Sequence, residues 1–165
     1  MSVGHSKRKS FLSLRQREPI PKLRIRPLEP EDARELSYLE LEIFPSPWSE
    51  NSLRSCLELS DVEGEAAILN NSIVGYMFVQ YAGVEAHILN LGVREKFRGR
   101  GIGKRLLERF LDRAEKRGTL VCFLEVRLGN RIAQKLYFDH GFAPLTIRKK
   151  YYPNGEDALI LVRHF

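Results

Sequence analysis

Apolar residues change their spacing repeatedly along the chain, and each change marks an element. Residues 22–26 alternate polar and apolar side chains, which predicts a short strand stopped by Pro27. Pro30, Glu31 and Asp32 place a proline and two acids where a helix should start, complementing its dipole. Ala33, Leu36, Leu39, Glu40 and Ile43 then follow a near-helical period, which Phe44-Pro45-Ser46-Pro47-Trp48 breaks. Ser49 is placed to cap a second helix carrying Leu53, Cys56 and Leu57. Segments 65–69 and 73–81 read as strands around Asn70-Asn71-Ser72, which is hairpin chemistry, and 87–93 reads as another strand. A helix over 104–117 shows Leu106, Leu107, Phe110, Leu111 and Ala114 on one face and ends at Gly118. Segment 120–127 is almost wholly apolar apart from Glu125, so it predicts a central strand buried on both faces. Asn130 caps a helix over 131–140, with Ile132, Ala133, Leu136 and Tyr137 leaning inward and Gly141 ending it. Segments 146–152 and 158–162 flank Pro153-Asn154-Gly155 as a last hairpin. The order β-α-α-β-β-β-α-β-α-β-β predicts an α/β fold, a mixed sheet with helices on both faces.

With 165 residues the chain is sized for one domain that folds without disulfide or metal. No run of 18 apolar residues appears, and the N-terminal region lacks the apolar core of a secretory signal. Cys56 and Cys122 sit in apolar patterns and read as thiols of a reducing compartment, which sets the expected location as cytoplasmic. His5, His87, His140 and His164 show no metal-ligand spacing, so no metal is expected.

The net charge of +6 is unevenly placed. Residues 1–26 carry eight basic side chains against one acidic, whereas the other 139 carry 19 basic against 20 acidic. Residues 1–21 are therefore set apart as a basic, disordered leader, and 22–165 as a single domain. The leader reads as a solvated extension or an over-extended start, with RNA or anionic-lipid contact and an organelle transit segment as alternatives.

Between a strand and a helix stands Arg98-Gly99-Arg100-Gly101-Ile102-Gly103-Lys104. Glycines let backbone amides converge on one point, and a helix N-terminus adds partial positive charge there, which makes an anion site. The dinucleotide fingerprint fails because its sixth place is Lys104. The phosphate loop ending in GK[ST] fails because Arg98 and Arg105 occupy two required places. R-x-x-G-x-G fits, through Arg98, Gly101 and Gly103, and both glycines are expected to require freedom from a side chain.

This loop resembles the pyrophosphate loop of the GCN5-related N-acetyltransferases (GNAT). Further on, Leu124-Glu125-Val126-Arg127 precedes Asn130, Ala133, Leu136-Tyr137 and Gly141-Phe142, which resembles that superfamily's second half. The Phe44–Glu50 stretch F-P-S-P-W-S-E, the strand Ile25-Arg26-Pro27-Leu28 and the run Ile147-Arg148-Lys149-Lys150-Tyr151-Tyr152-Pro153 are similar to RimI-type ribosomal-protein alanine N-acetyltransferases. Residues 22–162 carry the resemblance. Gly129 stands where the family usually has Ser, and Leu91-Gly92-Val93 where it usually has I-A-V; Gly92 is expected to loosen the strand beside the thioester.

The resemblance implies acetyl-CoA held by the loop from Arg98 to Lys104 (with Gly99, Arg100 and Ile102), by the backbone of Leu91, Gly92 and Val93, and by Asn130. It implies Tyr137 as the acid for the leaving thiolate and an acceptor rim of Trp48, Tyr151 and Tyr152. Chemistry alone gives Glu125 a role: as the lone acid in an apolar strand it should have a pKa raised by burial toward a useful base. The plainer alternatives are Glu125 as a structural partner of Arg127 or a helix terminus, Tyr137 as a core aromatic, Asn130 as a helix cap, and Trp48 and the tyrosines as plugs. No Ser/His/Asp set or nucleophilic cysteine is evident, which favours direct transfer in a ternary complex.

The expected function is acetyl transfer from acetyl-CoA to a protein N-terminal α-amine, with the resemblance implying N-terminal alanine of ribosomal small-subunit protein eighteen. The alternatives are a GNAT acting on lysine or a small amine, and a non-catalytic acetyl-CoA-binding or RNA-associated module.

Overall fold

The computed structural model describes residues 22–165, so the leader expected over 1–21 lies outside the described residues. One seven-stranded sheet runs through the molecule in the order β1-β2-β3-β4-β5-β7-β6. Its strands are β1 (Arg24–Pro27), β2 (Val62–Leu69), β3 (Ser72–Ala82), β4 (Glu85–Val93), β5 (Val121–Arg127), β6 (Ala143–Arg148) and β7 (Ala158–His164). Every neighbouring pair is antiparallel except β4 and β5. The hairpin β2–β3 turns on Asn70 and Asn71, both left-handed (φ 50° and 61°), as the Asn-Asn-Ser chemistry predicts.

Helices α1 (Ala33–Ile43) and α2 (Glu50–Leu57) cover one face; α3 (Ile102–Lys116) and α4 (Arg131–Phe138) belong to the other. On the first face, Leu36, Leu39 and Leu53 pack on Ala66, Ile68, Tyr76 and Phe78. Across the sheet, the predicted α3 stripe of Leu106, Leu107, Phe110, Leu111 and Ala114 packs on Ala67, Met77, Val79, Ile88 and Leu124. Each large side chain so buried contributes roughly 1.5–3 kcal/mol. Ser49 caps α2, its Oγ accepting from Ser52 N at 3.1 Å.

Several predicted boundaries shift, each for a local reason. α3 starts two residues early, because Gly101 already turns left-handed (φ 78°) and Ile102 drops into the core. β5 is buried on one face only: Cys122, Leu124 and Val126 are buried, while Phe123, Glu125 and Arg127 are half-buried on the other side. Ile132 does not lean inward; it is 86% exposed. It lies five positions before Tyr137, about 140° away around a 3.6-residue helix. β6 runs earlier than predicted, so Tyr151 and Tyr152 stand in the β6–β7 connection rather than in a strand.

Candidate active site

The two parallel strands pair only from Glu85↔Val121 to Ile88↔Leu124. Beyond that, β4 keeps only β3 as partner and β5 only β7. A bulge in β4 sits where the pairing stops: Val79 opposes Ile88 and Phe78 opposes Asn90, leaving Leu89 extra. Bulges bend a strand and increase its twist, so the two strands splay and backbone groups of Leu91, Gly92 and Val93 edge the opening. Openings at the carboxyl ends of parallel strands are the usual ligand position in α/β sheets.

α3 begins at this end of β4. Gly99 and Gly101 have φ of 70° and 78°, where L side chains are strained. The first bond within α3 runs from Arg105 N to Gly101 O at 2.9 Å, so the amides of Ile102, Gly103 and Lys104 precede the helical ladder. Its first turn holds Lys104 and Arg105 and no acid. A Cβ built at Gly101 would meet nothing within 4 Å, so an anion can approach the backbone there. Together these features fit a diphosphate. Gly103 differs from its expected role: its φ is not positive, and a Cβ there would make ordinary contacts with Leu136 and Leu91 at 3.6 Å. Arg98 Nε donates to Val93 O at 3.0 Å, tying the loop to the end of β4. Arg100 stacks on Phe97 (5.7 Å), and Ile102 offers only its backbone.

Glu125 projects from β5 toward the α1/α2 face. His87 Nε2 on β4 donates to its Oε2 at 2.5 Å, and Arg148 Nη1 lies 3.6 Å from Oε1. The expected upward shift of its pKa is overturned. Burial pushes it up, but the His87 hydrogen bond and the charges of His87 and Arg148 outweigh burial, and the carboxyl lies below its ordinary value. Arg127, one structural partner the sequence offered for Glu125, pairs instead with Glu156 Oε2 at 2.8 Å.

Tyr137 lies on the opposite side of the sheet, in the α3/α4 core, with Phe142 edge-on at 5.6 Å. Burial raises its pKa, so its hydroxyl keeps its proton across the neutral range. Gln134, which sequence reasoning missed, positions it: the buried amide donates to Arg127 O (3.1 Å) and Leu128 O (2.8 Å), joining α4 to the end of β5. Asn130 caps α4, its Oδ1 accepting from Ala133 N at 3.1 Å. Gly129 leaves room for Glu156, whose Oε1 accepts from Gly129 N at 3.1 Å and would press on any Cβ there. Tyr152 stacks under Arg127 (3.9 Å) and edge-on to Tyr151 (5.1 Å), and burial pushes its pKa up to about 12. Trp48 is half-buried against Phe78 (5.9 Å) on the α1/α2 side.

Cys122 is fully buried in the α3/α4 core, and burial pushes its thiol up to about 12, which leaves no thiolate for an acyl-enzyme. Among the described residues no cluster of three or more His, Cys, Asp or Glu side chains is arranged to hold a metal.

The model of the acetyltransferase (GNAT) family matches residues 30–142. The chain belongs to this family. It is therefore an acetyl-CoA-dependent N-acetyltransferase with the GNAT fold. The chain is 33% identical over 142 residues to [ribosomal protein bS18]-alanine N-acetyltransferase of Escherichia coli (strain K12), covering 81% of this chain and 92% of the relative. It is 34% identical over 140 residues to the protein of that name in Haemophilus ducreyi, covering 79% and 92%. The crystal structure of the ribosomal-protein-S18-alanine N-acetyltransferase from Escherichia coli superposes with a TM-score of 0.82 at 32% identity, covering 87% of this chain and 94% of that one. The NatC complex bound to Gag peptide and CoA shares the fold at 24% identity, with a TM-score of 0.76 over 87% of this chain and 99% of that one.

His87 was missed from the sequence. It stands 38 residues from Glu125, and only the parallel β4–β5 register brings the two together.

Proposed function

We propose that this GNAT member transfers acetyl from acetyl-CoA to the N-terminal α-amine of a protein, with the N-terminal alanine of a bS18-type ribosomal protein as acceptor, by direct attack in a ternary complex. The observation that carries this reading is the placement of Glu125 and His87 on one face of the splay and Tyr137 on the other. The names of the relatives above support the acceptor.

Amide formation releases one proton from the amine and returns one to the thiol, so the site needs a base on the acceptor side and an acid on the coenzyme side. Acetyl-CoA supplies the acetyl group as a thioester. The amides of residues 102–104 hold its diphosphate, and the β4 edge at Leu91–Val93 is placed to receive its chain. Glu125, ionised and bonded to His87, takes the amine proton directly or through water. Tyr137, kept protonated by burial, donates from the α3/α4 side.

The α-amine suits this base. Its pKa is about 7.7–8.0 against about 10.4 for lysine, so lysine would ask for roughly 3.3 kcal/mol more near neutral pH. The α1–α2 connection with Trp48 and the β6–β7 connection with Tyr151 and Tyr152 wall the acceptor side. The setting proposed is the cytoplasm: Cys56 and Cys122 are free, buried thiols, and among the described residues no helix is long and apolar enough to cross a membrane.

The test incubates the protein and acetyl-CoA with a peptide beginning in free alanine and with the same peptide N-blocked and carrying an internal lysine. Mass spectrometry should find acetyl on the free N-terminus. Preferential labelling of the blocked peptide would reject the α-amine reading.

A further inference from the structure

Glu40 is a fully buried acid on α1, and among the described residues no basic side chain pairs with it. Its carboxylate instead gathers donors from three other places. Trp48 N donates to Oε2 at 2.8 Å, Asn90 Nδ2 of β4 donates to Oε1 at 2.8 Å, and the Tyr76 hydroxyl of β3 donates to the same Oε1. Asn90 Nδ2 also lies 3.1 Å from the Tyr76 hydroxyl. Burying a carboxylate is unfavourable, and burial outweighs the three donors, so the Glu40 pKa lies above its ordinary value.

An acceptor with two oxygens suits three donors arriving on both sides; an amide would turn its own N–H groups toward one of them. Gly92 belongs to the same construction. A Cβ there would meet Tyr76 Cε1 at 2.8 Å and Ile43 Cδ1 at 3.2 Å, so glycine lets the Tyr76 ring lie against β4. The departure from the family's I-A-V thus admits a ring. That ring meets Phe78 edge-on (5.7 Å), and Phe78 carries the Trp48 indole.

We propose that Glu40 is a positioning residue for the acceptor: its carboxylate latches the Trp48 loop to β3 and β4, and so sets the geometry of the acceptor wall beside the splay. The inference rests on the α1–α2 connection being that wall, as proposed above. Asn90 makes the link to the reaction, because it stands on β4 in the segment that has left β5.

Trp48 is the chain's only tryptophan, so its fluorescence reports this loop without interference. In Glu40→Gln the emission should shift to the red, and the KM for the alanine peptide should rise at least about tenfold, the effect of losing a charged hydrogen bond. The Kd for acetyl-CoA should stay within twofold, since the glycine loop lies across the sheet and the backbone of Leu91–Val93 is held by its pairing with β3. Tyr76→Phe removes one donor and keeps the ring; it should move emission and KM in the same direction by less, and it decides the matter if Glu40→Gln does not fold. Unchanged emission in a folded variant would overturn the latch. Shifted emission with unchanged peptide KM would overturn its role in acceptor binding. A parallel fall in acetyl-CoA affinity would show a general structural role instead. Failure of the wild-type protein to acetylate any peptide would refute the proposed function and leave the fluorescence result to judge the latch.

Discussion

Two opposed forces act on the Glu125 carboxyl. Burial disfavours its charge, while His87 and Arg148 favour it, and the second effect is larger. A lowered pKa means that the carboxylate persists as pH falls, so the proposed base would be lost only below the ordinary value of about 4.3. Near neutrality, then, activity should follow ionisation of the acceptor amine rather than that of Glu125. The same force balance predicts the effect of removing the partner. In His87→Ala the hydrogen bond is gone while burial and Arg148 remain, so the Glu125 pKa should rise. Carbon-13 NMR titration of the Glu125 carboxyl should place it below the ordinary value in the wild type and higher in the variant. An unmoved titration would show that His87 does not hold the charge. At this scale the sequence exposed Glu125 as a lone acid in an apolar run, but burial alone gave its shift the wrong sign. The sign is set by His87 and Arg148, which come from β4 and the end of β6 and meet Glu125 only in the folded sheet.

Elements were legible wherever a local pattern decides them. The α3 stripe, the Ser49 cap and the Asn70-Asn71 turn all follow from spacing or turn chemistry and stand where the pattern puts them. The misplaced features depend on non-local pairing. β5 read as buried on both faces because its residues are apolar, yet the splay from β4 leaves its Glu125 side half-open. β6 slid because its six residues are exposed and carry no burial pattern. The glycine loop joins both cases: its motif was plain, but only the backbone separates its two glycines. Gly101→Val forces a β-branched residue to φ 78°, a strain of roughly 1–2 kcal/mol or more, and should weaken acetyl-CoA binding at least about tenfold with unchanged circular dichroism. Gly103→Ala, at ordinary φ with ordinary contacts, should bind almost as the wild type. Calorimetry on the pair decides it, since equal losses would remove the distinction.

Across the whole molecule, the sheet divides the labour. The α3/α4 side carries the glycine loop and Tyr137; the α1/α2 side carries Glu125, His87 and Trp48, the proposed acceptor wall. The two sides meet at the single place where parallel strands part. In the proposed reaction no nucleophilic side chain is needed: an amine held on one side would attack a thioester entering from the other, while Cys122 stays sealed in the core. It also makes the two binding events separable by mutation. The most direct test is Glu125→Gln, which keeps the shape of the side chain and removes the proposed base. Turnover of the alanine peptide at neutral pH should fall by about 10²–10⁴, while calorimetry finds the acetyl-CoA Kd unchanged. Turnover near the wild-type value would contradict the account, as it would mean that the proton leaves by another route.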